Sequence, residues 1–217
     1  MFYFLKNKII MKRKNNYIYL ISLIILYFLL EFLINFIFIK LLGGYDNKIN
    51  YDLSVIYSRL FVILLFLIIA ILNRRVFDYL KFKTISLKKI MLFFLGGIIY
   101  SFIVIFIKNQ NFTEYSFHWP PDRAYFLLSA IFVAPFYEEI FNKGLPIEYL
   151  LRKNISPVFI TIFISVLFSL SHLPSIGQMF YALILGIITA LIYIKERNLI
   201  YPIIFHFVYN FTILCIY

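Results

Sequence analysis

Long apolar runs separated by short polar connections dominate the chain. Seven stand out, over residues 17–42, 53–72, 90–107, 124–151, 157–172, 176–194 and 199–217. A helix needs about 20 apolar residues to cross a bilayer, and it satisfies its backbone groups internally, as lipid requires. The pattern therefore predicts an all-α polytopic membrane bundle of about seven transmembrane helices, within a range of six to eight, as a single domain over residues 1–217. The first run is too long for a signal-peptide core and has no Ala-x-Ala-like site, so it reads as a retained helix. The fourth is interrupted by polar residues and is expected to end near residues 144–146. The fifth is short and is expected to be partly covered by its neighbours.

Charge sets the orientation. With the N-terminus cytoplasmic, inner segments collect Lys6, Lys8, Lys12, Arg13 and Lys14, then Arg74, Arg75, Lys81, Lys83, Lys88 and Lys89, then Lys143, Arg152, Lys153, Lys195 and Arg197. These are 16 of the 21 basic residues, the asymmetry that the positive-inside rule demands. The outer connections keep Lys48, Lys108 and Arg123, with Lys40 and Arg59 expected near span ends. The stretch 74–89 mixes basic and apolar residues and reads either as a basic segment along the inner surface or as an ordinary inner loop.

Composition agrees. The chain is 63% hydrophobic and 14% charged, whereas soluble domains are about 45–50% apolar and 25% charged. Its net charge of +11 would suit nucleic acid, but the basic residues sit in connections between spans, so the expected partner is the lipid bilayer and not nucleic acid. The single cysteine, Cys215, excludes an internal disulfide or a cysteine zinc cluster.

Candidate chemistry lies in the fourth run, where Glu138 and Glu139 are adjacent. A charge at the bilayer centre costs at least about 2.5–3.5 kcal/mol on insertion scales, so an intramembrane carboxylate points to function when partners can be named. His172 and His206 occupy later runs, and Asn210 shares a helix face with His206 at i, i+4. At 1.5 Å per residue, Glu138 and His172 lie roughly 20 Å from the connection between the fourth and fifth helices, and a short connection makes those helices antiparallel neighbours. Asn210, about 18 Å from residue 199 by the same count, reaches a similar depth. Phe168 stands one turn before His172. Glu139 and Lys143 are spaced to pair. Elsewhere, Glu31 is expected at a helix contact, His118 at the membrane interface beside Trp119, and Glu148 facing the inner headgroups near Arg152.

These residues form three ordered motifs: Glu138-Glu139-Ile140-Phe141-Asn142-Lys143, Phe168-Ser169-Leu170-Ser171-His172, and His206-Phe207-Val208-Tyr209-Asn210. In order and spacing they resemble the CPBP (Abi) intramembrane proteases, the family of CAAX prenyl endoproteases and of bacteriocin-processing or immunity proteins. Its pattern is Glu-Glu-x-x-x-Arg, Phe-x-x-x-His and His-x-x-x-Asn on successive membrane helices. The resemblance covers residues 80–217. One departure is Lys143 in the arginine position, which keeps the charge but loses the planar fork.

The resemblance implies an intramembrane endopeptidase acting on a membrane-associated protein or peptide, in the plasma membrane of a prokaryote. Glu138 would be the base for a water held between it and His172, and His206 and Asn210 would donate to the oxyanion. Glu139, Lys143 and Phe168 would support them. Two histidines and a glutamate, His172, His206 and Glu138, are also a zinc-ligand set with an open water position. The absence of a His-Glu-x-x-His helix favours a metal-free site. The same resemblance permits a non-proteolytic immunity or scaffold protein. A proton-relay transporter would be expected to show paired repeats, and no internal repeat is visible.

Overall fold

The computed structural model describes residues 22, 24–42, 48–109, 124–173 and 175–216. The basic N-terminal cluster, the start of the first run, Arg123 and His118 with its Trp119-Pro120-Pro121 neighbours lie outside them. Among the described residues every regular element is helical. The helices are α1 (Ile24–Leu41), α2 (Lys48–Leu72), α3 (Leu87–Asn109), α4 (Ala124–Arg152), α5 (Pro157–Leu170), α6 (Ile176–Glu196) and α7 (Ile200–Ile216). Five of them are long and apolar enough to cross a membrane, and α5 and α7 are shorter. This is a helical membrane bundle.

The 14 residues of α5 rise only about 21 Å, less than the roughly 30 Å of hydrocarbon. Buried inner residues compensate: Ile160, Ile164 and Phe168 are covered completely by neighbouring helices. By contrast α2 turns Leu64, Leu67, Ile68 and Ile71 outward, a lipid-facing surface. In α4, 56% of the span is buried, against 11% in α1 and in α2. The helix that carries the paired glutamates is thus the centre of the bundle.

Helix α4 does not end near residues 144–146. It continues to Arg152 with two wide π turns, Ser129–Val133 and Glu138–Gly144. In the second, the N–H of Leu145 reaches back to the carbonyl of Ile140, an i→i+5 bond. Pro146 has no N–H to give, and the wide turn ends just before it, so the helix passes the proline without breaking. Such π turns interrupt α-helices most often at functional sites, and the whole glutamate motif lies in this one.

The connection from α4 to α5 is short and contains Asn154 at φ 58°, a left-handed position asparagine tolerates. The two helices are consequently antiparallel neighbours. Buried Glu148, near this end of α4, accepts from Arg152 Nε at 3.0 Å and from Tyr193 at 3.3 Å, pairs with Arg197, and has Lys81 at 3.9 Å. It does not face the headgroups, because cations from three segments enclose it. The stretch after α2 forms only a short 3₁₀ helix, Arg74–Tyr79, and residues beyond it are pinned to the α6–α7 turn. The Leu199 N–H donates to the Lys81 carbonyl at 2.8 Å and Tyr201 accepts from the Ser86 N–H at 3.0 Å.

Helices α3 and α7 touch at Gly97. A Cβ there would lie 2.9 Å from the Phe205 carbonyl oxygen and 3.0 Å from Val208 Cβ. Gly97→Leu is expected to force the helices apart and cost about 1–3 kcal/mol, the usual penalty for overpacking. A thermal unfolding midpoint in detergent equal to that of the unmodified protein would contradict this close contact.

Candidate active site

The glutamate motif sits where α4 is widest, and its two carboxylates take different partners. Glu139 is 1% exposed and Lys143 likewise; they form an ion pair along α4. The ammonium of Lys143 also donates to Thr189 Oγ1 at 2.9 Å and lies 3.9 Å from the centre of the Phe168 ring. A point charge with three rotatable donors fills this site without a planar fork. Lys143 is therefore not in an inner connection, as the charge distribution suggested; a carboxylate, a hydroxyl and a ring compensate its burial.

Glu139 also accepts from His206 Nδ1 at 2.8 Å. A carboxylate only accepts, so Nδ1 carries the hydrogen. The opposite nitrogen, Nε2, lies 3.8 Å from Glu138 Oε2. The buried imidazole of His206 is thus bracketed by the adjacent glutamates, one at each nitrogen. Adjacent residues on a helix point about 100° apart, which lets the pair embrace one ring from two sides.

Helix α5 stops at Leu170, so His172 lies in the turn that follows and not within the helix as expected. Its Nδ1 is 2.9 Å from the Phe168 carbonyl. A carbonyl accepts, which assigns the hydrogen to Nδ1 and leaves the Nε2 lone pair free. The ring caps the helix end, where carbonyls lack intrahelical partners, and Ser171 Oγ donates to the same carbonyl at 2.7 Å. Phe168 is fully buried, with its ring 4.9 Å from His172 and 6.1 Å from His206, edge-on to both. One side chain thereby spaces both imidazoles and the ammonium of Lys143.

Asn210 Nδ2 donates to the Ala130 carbonyl at 2.7 Å, inside the first π turn of α4. That uses one of two amide hydrogens and leaves the other. Glu138, His172, His206 and Asn210 together line a cavity of about 560 Å³. Each of the four carbons-and-heteroatoms groups arrives from a different place: mid-α4, the turn after α5, and two successive turns of α7.

One feature was not read from the sequence. Arg59 donates from Nη2 to Glu138 Oε1 at 2.7 Å. It lies well inside the span Asn50–Leu72, not near its end, because Glu138 provides an anionic partner at that depth. The signal was present: a charge inside an apolar run invites a search for its partner. Glu31 joins a further polar group between α1 and α4, lining one cavity together with Arg59 and Glu138. Asn142 donates to Glu31 at 3.4 Å and accepts from Tyr27 at 2.9 Å, and the Tyr27 and Tyr137 hydroxyls are 3.4 Å apart. This group joins α1 to α4, the helix contact expected of Glu31.

Among the described residues no three His, Cys, Asp or Glu side chains converge to hold a metal ion. His206 turns Nδ1 to Glu139 and His172 turns Nδ1 to a backbone carbonyl, as metal-ligating histidines also do, while Glu138 gives an oxygen to Arg59.

The fold and this cavity define a helical membrane protein with a buried carboxylate–imidazole site. Residues 120–212, under half of the chain, match the family model of Rce1-like type II CAAX prenyl endopeptidases. The match supports the CAAX protease family for this chain and, in general terms, an intramembrane protease. No curated protein and no solved structure matches the chain.

Proposed function

We propose that the protein is an intramembrane endopeptidase that hydrolyses a peptide bond of a membrane-associated protein or peptide with a water activated by Glu138 and His172. The observation that carries this reading is the single cavity lined by Glu138, His172, His206 and Asn210. Water has two hydrogens to give. Held between the Glu138 carboxylate and the free Nε2 of His172, it donates one to each and keeps an oxygen lone pair for the scissile carbonyl. Glu138 takes the proton as attack proceeds and passes it to the departing amine.

The oxyanion needs donors placed in advance, where low dielectric makes them count most. Asn210 has one amide hydrogen left for this. His206, held at Nδ1 by Glu139, is placed to donate from Nε2 when that nitrogen carries hydrogen. The Glu139–Lys143 pair then orients His206, and Phe168 spaces it from His172.

The test uses purified protein in liposomes with a panel of single-span peptides, read by mass spectrometry. His172→Ala and His206→Ala are each expected to lower turnover of a cleaved peptide by about 10²-fold or more, the range for a lost general-base or oxyanion partner. Cleavage at the unmodified rate by both variants would contradict the assignment.

A further inference from the structure

Arg59 stands on α2, outside residues 120–212 that match the family model, yet among the described residues it makes the shortest polar contact to Glu138, 2.7 Å from Nη2 to Oε1. Its guanidinium carbon is 5.6 Å from the centre of the Tyr137 ring, so an aromatic face backs the cation. A second cavity, of about 460 Å³, lies between α1, α2, α4 and α5. Arg59, Glu138 and His172 line both cavities. The arginine therefore sits at the junction of the two chambers, against the carboxylate and close to the reacting space.

We propose that Arg59 is a positioning residue for Glu138. The proposal rests on the reading of Glu138 as the base. A glutamate's terminal torsion has a broad, nearly two-fold profile, so a carboxylate held only at its stem rotates. A charge-assisted bond to one oxygen stops that rotation and commits the other. With Oε1 on Arg59, Oε2 is left on the His206 side, 3.8 Å from Nε2. The two carboxylates thus have one cation each: Glu139 has Lys143 from its own helix, and Glu138 has Arg59 from α2. The orienting arginine missing at position 143 has a counterpart at 59, serving the neighbouring glutamate. On this account α1 and α2 are more than a lipid-facing cover, since α2 brings the group that aims the base.

Arg59→Gln and Arg59→Lys are compared in liposomes with a single-span peptide that the unmodified protein cleaves, beside Glu138→Gln. Arg59→Gln is expected to lower kcat by about 10–100-fold, the effect of a slightly misplaced catalytic group, with KM within about threefold, since transition-state and uniform binding separate in this way. Arg59→Lys keeps the charge without the fork and is expected to recover part of kcat. Because lysine preserves the buried ion pair, it reads the proposal even where the glutamine variant unfolds: a partly reduced kcat in Arg59→Lys then supports a positioning role, and a kcat equal to the unmodified one counts against it. An unchanged or raised kcat in folded Arg59→Gln, or a loss confined to KM, overturns the proposal. If Glu138→Gln is inactive while Arg59→Gln is fully active, only the role of Arg59 falls. If Glu138→Gln is also fully active, the proposed function falls with it.

Discussion

Glu138→Gln is expected to lower turnover of a cleaved peptide by about 10²–10⁴-fold, the usual contribution of a positioned general base. Glutamine keeps the size and the acceptor oxygen, so Arg59 retains a partner and the packing of α4 is not disturbed. What disappears is the ability to take a proton from water. The loss should fall in kcat, because no substrate-binding group is removed. Rates measured in liposomes under saturating peptide check this. A turnover within a few-fold of the unmodified protein would mean that the cavity works through some other group.

Lys143→Met is expected to destabilise the fold by about 3–5 kcal/mol, the cost of stripping one partner from a buried ion pair. Both side chains are 1% exposed, so solvent cannot replace the lost partner. Methionine fills similar space against Phe168, which confines the effect to the charge and its hydrogen bond to Thr189. Glu139→Gln combined with Lys143→Met should recover much of the loss, because the stranded carboxylate is gone. Thermal unfolding in detergent compares the three proteins. Equal midpoints for the unmodified protein and Lys143→Met would show that the pair is not buried in the membrane-embedded state.

Much of the bundle is legible in the sequence, for a simple reason. Apolar runs of membrane-spanning length leave few alternatives to helices, and among the described residues the seven runs correspond to seven helices. The glutamate pair was legible because charge in hydrocarbon is conspicuous, and His172 and Asn210 because their spacing from the connections puts them near the depth of Glu138. The course of α4 was not. Gly144 and Pro146 read as a helix end, but a π turn depends on which carbonyl each N–H selects, and that choice is made by packing around residues 138–145. The position of His172 beyond the end of α5 escaped for a related reason: nothing in an apolar run says which of its last residues will cap it.

Charge counting had its own blind spot. Assigning Lys143 and Arg59 to connections or span ends treated cations as topological markers. Both are instead counter-ions, each to one member of the glutamate pair. Glu148 shows the same thing at the far end of α4, where Arg152, Arg197 and Lys81 surround it. In each case a carboxylate within reach makes burial of the cation tolerable, and that reach is a property of the tertiary arrangement. Phe168 is the opposite case. Its place in the second motif marked it beforehand, but only the assembled site shows one ring in contact with two imidazoles and an ammonium.

The central claim is that Glu138 activates water for peptide hydrolysis within the bundle. The most direct measurement incubates the purified protein, in liposomes and in ¹⁸O-labelled water, with a single-span peptide panel and weighs the products. The account predicts two fragments from a cleaved peptide, with one solvent oxygen in the new carboxylate, and intact peptide with Glu138→Gln. Fragments formed equally well by Glu138→Gln would contradict it, as would a panel left whole by the unmodified protein.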